Sequence, residues 1–98
     1  MNHQKGRTLQ DIATSLKPAE VLAAAKDFFG PRNGVYTAFV EREGADYLVL
    51  RGQGGEEIVI AAQPDGGATR ATGSSYLFDQ QVARFFSSLP PAAEGAAS

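Results

Sequence analysis

Three glycine-bearing linkers punctuate the middle of this chain: Glu43-Gly44, Gly52-Gln53-Gly54-Gly55 and Pro64-Asp65-Gly66-Gly67. Glycine reaches the positive backbone angles of tight hairpin turns, so these linkers between apolar runs predict antiparallel strands. The spacing places strands at 35–42, 46–51, 56–63 and 68–74, joined as a four-stranded meander. Turns centred on Glu43-Gly44, Gln53-Gly54 and Asp65-Gly66 set one register. In it Val40 faces Tyr47, Val49 faces Ile58, Ile60 faces Ala71, and Arg51 falls opposite Glu56 as an opposite-charge pair.

Side chains alternate along a strand, so this register divides the sheet into two faces. One carries Tyr36, Ala38, Val40, Tyr47, Val49, Ile58, Ile60 and Ala71. The other carries Val35, Thr37, Phe39, Leu48, Leu50, Val59 and Ala61, with Glu57, Arg70 and Thr72 toward its margin. Both faces are apolar at the centre, whereas an antiparallel sheet with one wetted face alternates cleanly.

The flanks read as helix. Leu9, Ile12, Ala13 and Leu16 share one helical face, with Thr8 as the cap. Pro18 disfavours helix at Lys17 and opens a second helix to Phe29, whose inward stripe is Val21, Leu22, Ala25, Phe28 and Phe29. Gly30-Pro31 ends it, with Gly30 suited to a left-handed closing position. Beyond the meander, Ser74 or Ser75 caps a helix over about 77–89, its stripe formed by Phe78, Val82, Phe85 and Leu89 with Leu77 and Phe86 beside it. Pro90-Pro91 stops that helix. The expected architecture is α+β: N-terminal helices, a four-stranded antiparallel β-meander and a C-terminal helix packed on the sheet, in the order α-β-β-β-β-α. Residues 1–7 read as a flexible tail, 8–90 as a single α+β domain and 91–98 as a disordered tail. In outline, a curved meander followed by a long terminal helix is similar to the later part of helix-grip ligand-binding domains, which add strands to close a cavity.

Composition narrows the chemistry. The 98 residues, 43% apolar and 20% charged, describe an ordinary globular domain. A net charge of −2 lacks the basic footprint of a nucleic-acid binder. No apolar run is long enough to span a membrane, and Met1 to Arg7 lacks the apolar core of a secretory signal, so a cytoplasmic location is expected. The absence of cysteine excludes disulfides, thiolate catalysis and cysteine-bound metals. His3 is the single histidine, and Glu41, Glu43 and Asp46 are scattered around a hairpin without a calcium-loop pattern, so neither metal nor cofactor is expected.

The remaining motifs read more simply as structure than as chemistry. Arg51-Gly-Gln-Gly-Gly-Glu-Glu57 offers glycine N–H groups to an anion. Yet two glutamates and a strand follow it, where a phosphate loop has Lys-Ser/Thr and a helix. Glu56 and Glu57 point to opposite sides of a strand and cannot share a site. Glu57 near Arg70 or Thr72 reads as an ion pair at the sheet margin. Ser74-Ser75 has no histidine or lysine placed to activate a nucleophile. Phe28-Phe29 and Phe85-Phe86 are adjacent helical aromatics, so one of each pair points off the main stripe, either into the core or to an interface. What is left is the second apolar face. It predicts a non-catalytic domain that self-associates, as a homodimer, through a patch of Phe39, Leu48, Leu50 and Val59, with Tyr36 and Tyr47 nearby. The alternative is a small apolar-ligand-binding protein whose helix-grip-like pocket is lined by the same residues.

Overall fold

The computed structural model describes residues 7–30, 37–76 and 78–92. Five strands form one antiparallel sheet: β1 (Arg7–Thr14), β2 (Ala38–Glu43), β3 (Tyr47–Gly52), β4 (Glu57–Asp65) and β5 (Ala68–Tyr76). Helix α1 (Pro18–Phe29) follows β1 and helix α2 (Asp79–Ser87) follows β5. The spatial order is β1-β5-β4-β3-β2, so the meander is present and a fifth strand extends it.

That fifth strand is the main correction to the expected architecture. The segment expected as a first helix is β1, which pairs with all of Ala68 to Tyr76's inner run, from Arg7 opposite Tyr76 to Thr14 opposite Thr69. The order is therefore β-α-β-β-β-β-α, with one N-terminal helix. The i, i+3, i+4 spacing of Leu9, Ile12 and Ala13 is helical, and in the strand it sends Leu9 and Ile12 to opposite faces, Ile12 against the core and Leu9 exposed. Thr8, Ile12 and Thr14 are β-branched. Eight cross-strand pairings with an otherwise bare sheet edge outweigh the weak preference of a short helix.

Turn geometry corrects the register. Gly66 and Gly67 both have positive φ (61° and 86°), and Asp65 pairs with Ala68. Two such residues in succession make the two-residue hairpin turn whose twist matches the strands. The turn is therefore centred one residue later than Asp65-Gly66, and Ile60 faces Gly73 while Ala62 faces Ala71. Between β3 and β4 the loop has an odd length. Gly52 N–H donates to Glu56 O at 2.7 Å, Gly55 N–H donates back to Gly52 O at 3.0 Å, and Gly55 has φ 91°. Val49 accordingly faces Val59 and Arg51 faces Glu57, one residue from the expected pairing. On the other side Val40 faces Leu50, and a bulge follows between Val40 and Arg42. A shift of one residue turns every side chain of a strand to the opposite face. That is what happens to β3.

Both helices lie on one side of the sheet. The core between the layers holds Ala38, Leu48, Leu50, Ile58, Ile60, Ala62 and Ala71 from the sheet with Val21, Leu22, Ala25, Phe29, Val82, Phe85 and Phe86 from the helices and Leu89 just beyond α2. Helix α1 starts as expected. Pro18 occupies its first turn, and the Lys17 N–H donates to Glu20 Oε1 at 2.8 Å. Its end differs: Gly30 is extended (φ −81°) rather than left-handed. Helix α2 begins at Asp79 after an N-cap at Phe78, while Ser74 and Ser75 lie within β5 and do not cap it. Gly73 lets α2 approach closely, since a Cβ there would lie 2.7 Å from Val82 Cγ1 and 3.0 Å from Phe86 Cζ. Phe28, Phe29, Phe85 and Phe86 form one ring cluster with centroids 5.1–5.6 Å apart. Both aromatic pairs thus serve the helix layer, with Phe28 half-buried at its margin.

Candidate functional site: the open sheet face

With α1 and α2 on one side, the other side of the sheet has no helical cover among the described residues. Strand alternation and register lay its residues out in rows. The central row runs Leu9, Ser74, Val59, Val49 from β1 to β3. On one side of it lie Asp11, Thr72, Ala61 and Tyr47, and on the other Glu57, Arg51 and Phe39. Val49 is already buried at 5% exposure, and Val59 and Ala61 are half-buried. Phe39 and Tyr47 flank them, 57% and 36% exposed, and Leu9 at the far edge is 76% exposed. Tyr47's ring lies against Gly44 of the preceding turn, where a Cβ would collide with it.

The expected patch is divided by the corrected register. Phe39, Val59 and Tyr47 belong to the open face. Leu48 and Leu50 do not: they are fully buried beneath the helices. Tyr36 lies outside the described residues. In place of the two leucines stand Val49 and Ala61, together with Leu9 and the charged residues of both margins. Only the length of the β3–β4 loop distinguished these assignments, because Leu48, Val49 and Leu50 are equally apolar.

Two arginine clusters border the apolar centre at opposite ends. Arg51 donates from Nη2 and Nε to Glu41 Oε1 at 2.8 and 3.0 Å and from Nη1 to Gly55 O at 3.1 Å, and it sits 3.6 Å from Glu57 Oε2. The expected partner Glu56 instead accepts from the Gly54 N–H at 2.9 Å, closing the loop. Arg70 donates to Asp11 Oδ2 and Asp65 Oδ2, both at 3.2 Å, tying β1 to the β4–β5 turn. These pairs are partly exposed and each adds little to stability, roughly 0–1 kcal/mol. They frame the face with fixed, polar borders.

Two concavities accompany the face. One, of about 440 Å³, borders it at Ala61, Gln63, Asp65, Arg70 and Thr72. The other, also about 440 Å³, opens between the helix ends, lined by Leu16, Ala24, Phe28, Phe85 and Leu89 with Asp27 and Ser88 at polar positions. Among the described residues no group of three His, Cys, Asp or Glu side chains is placed to hold a metal ion. The Ser75 hydroxyl is buried without a hydrogen-bond partner among the described residues. No helix among the described residues is long and apolar enough to cross a membrane.

Comparison with protein-family models, curated proteins and solved structures finds no match for this chain.

Proposed function

We propose that this domain is a non-catalytic module that self-associates through its open sheet face. The observation that carries the reading is the one-sided helix layer, which leaves Phe39 and Tyr47 exposed around Val49, Val59 and Ala61. Five strands spaced by ~4.8 Å and about 20 Å long present a projected face of roughly 500 Å², the footprint of a modest protein interface. An apolar centre with charged margins is also how such interfaces are built. A second copy stacked on this face as a two-layer sheet would remove Phe39 and Val59 from water.

Sedimentation velocity at micromolar protein tests this. Val59→Asp and Phe39→Ser should each lower the solution mass while retaining the parent circular dichroism. A parent mass unchanged by both variants would refute the reading.

A second reading has its own observation. The cleft between α1 and the end of α2 has the size of a small-molecule site and is walled by Leu16, Phe28, Phe85 and Leu89. On that reading the domain binds a small apolar ligand. Saturable binding of an apolar fluorophore, lost in Ala24→Trp without loss of fold, would support it.

A further inference from the structure

The two edges of the sheet are built differently. At β2 a bulge interrupts the pairing after Val40, the strand continues as Glu41-Arg42-Glu43, and Lys26 Nζ reaches Glu43 Oε1 at 2.6 Å. Bulges and edge charges are the devices by which proteins block edge-to-edge pairing. The opposite edge, β1, has no bulge, although it carries the charged residues Arg7 and Asp11. It is eight residues long, its register with β5 is unbroken, and it contains no proline.

The geometry of the chain end shows which backbone groups this edge presents. Thr14 forms an antiparallel bridge with Pro91, in which the Ser15 N–H donates to Pro90 O at 3.4 Å. Odd-numbered residues therefore direct their N–H and C=O outward, away from β5, because successive residues alternate. The same bridge occupies the edge near Ala13. Among the described residues, the outward groups of β1 left without a partner strand are those of Arg7, Leu9 and Asp11.

We propose that this edge pairs with the β1 edge of a second copy, antiparallel and two-fold symmetric about Leu9. Residues directly opposite across an antiparallel pair share a face, and only outward-directed residues exchange both hydrogen bonds. Several registers meet these conditions, and those centred on Arg7 or Thr8 leave Asp11 opposite a position before β1. Centring on Asp11 sets two aspartates opposite each other and runs Leu9 against the occupied position at Ala13. Centring on Gln10 sets Arg7 against the same occupied position. Centring on Leu9 uses all the open groups: Leu9 opposite Leu9, and Asp11 opposite Arg7. It joins the most exposed large apolar side chain, Leu9, to its own copy. The result is a continuous ten-stranded sheet with both helix layers on one side. It extends the open face rather than covering it, so the inference does not rest on the face-to-face reading.

The chain has no cysteine, so single replacements report position cleanly. Leu9→Cys brings two thiols into register on strands whose opposed Cα atoms are ~5.5 Å apart. In Ala13→Cys the two thiols sit eight residues apart along the pair, about 26 Å at the usual rise. Treatment with a short bis-maleimide at micromolar protein should cross-link Leu9→Cys on the order of a hundredfold faster than Ala13→Cys, reflecting a millimolar effective concentration. Leu9→Pro removes one outward donor without touching the bonds to β5, and Leu9→Lys adds an edge charge. Both should lower the parent mass in sedimentation velocity with the fold retained. Equal cross-linking of the two cysteine variants, or an unchanged mass for both Leu9→Pro and Leu9→Lys, would overturn the proposal. Val59→Asp, introduced beside Leu9→Cys, should leave the cross-linking rate unchanged, which separates this contact from the open face.

Discussion

Gly73→Ala should destabilise the domain, although the same change at an unobstructed strand position would stabilise it. Gly73 is not at positive φ, so alanine meets no backbone penalty there. By restricting the unfolded chain it would contribute about 0.4–1 kcal/mol of stability. Against this, the added Cβ would sit 2.7 Å from Val82 Cγ1 and 3.0 Å from Phe86 Cζ, closer than carbon atoms pack. Val82 and Phe86 are themselves 0% and 5% exposed, so neither side chain can swing into solvent. Overpacking of this kind costs about 1–3 kcal/mol. The net loss is about 1–2 kcal/mol, or a fall in Tm of roughly 4–15 °C for a domain of this size. Val82→Ala alone should cost about 2 kcal/mol. The two together should cost about 1 kcal/mol less than their sum, because the space vacated by the valine methyls receives the new Cβ. The assay is urea denaturation of the parent, both single variants and the double. A Gly73→Ala variant as stable as the parent, or a double variant additive within about 0.5 kcal/mol, would mean that α2 does not cross β5 at this point.

The ring cluster makes a second prediction: Phe85→Ala, at a fully buried position, should cost about 3–5 kcal/mol in the same assay and Phe28→Ala clearly less. Thr14→Val should cost about 1–2 kcal/mol, because the buried Thr14 hydroxyl donates to Pro90 O at 2.6 Å and accepts from the Leu16 N–H at 3.3 Å. Differential scanning calorimetry would register it as a lower Tm. Arg51→Ala should change stability by less than about 1 kcal/mol, since its pairs with Glu41 and Glu57 are partly exposed. Excess EDTA should leave the Tm unchanged, because no metal-holding group is present among the described residues.

What the sequence revealed and what it hid have distinct physical causes. Helix α1 was legible to the residue because Pro18 can only open a helix and Gly30-Pro31 can only end one. The stripe of Val82, Phe85 and Leu89 was legible because its helical period has no strand counterpart. β1 was not, because Leu9, Ile12 and Leu16 follow the helical period, whereas in the strand Leu9 and Ile12 point to opposite faces. Its partner edge on β5 is a tertiary fact, 60 residues away. The open face was legible as a surplus of apolar residues but not in its membership. Leu48-Val49-Leu50 is apolar throughout, so alternation carries no phase, and the phase came from a loop of odd length with Gly55 in the left-handed region. The doublet Gly66-Gly67 did carry the information for its own turn, since only that pair supplies two adjacent positive φ values.

The proposed association would cover Val59, whereas its neighbours Ile58 and Ile60 lie under the helices. Methyl NMR with a soluble paramagnetic probe tests this directly across a dilution series. The Ile58 and Ile60 methyls should be shielded from the probe at every concentration. The Val59 methyls should be shielded in concentrated solution and become broadened on dilution, as the face opens to solvent. Val59 methyls broadened equally at all concentrations would contradict association through this face, and Ile60 methyls broadened with them would contradict the fold.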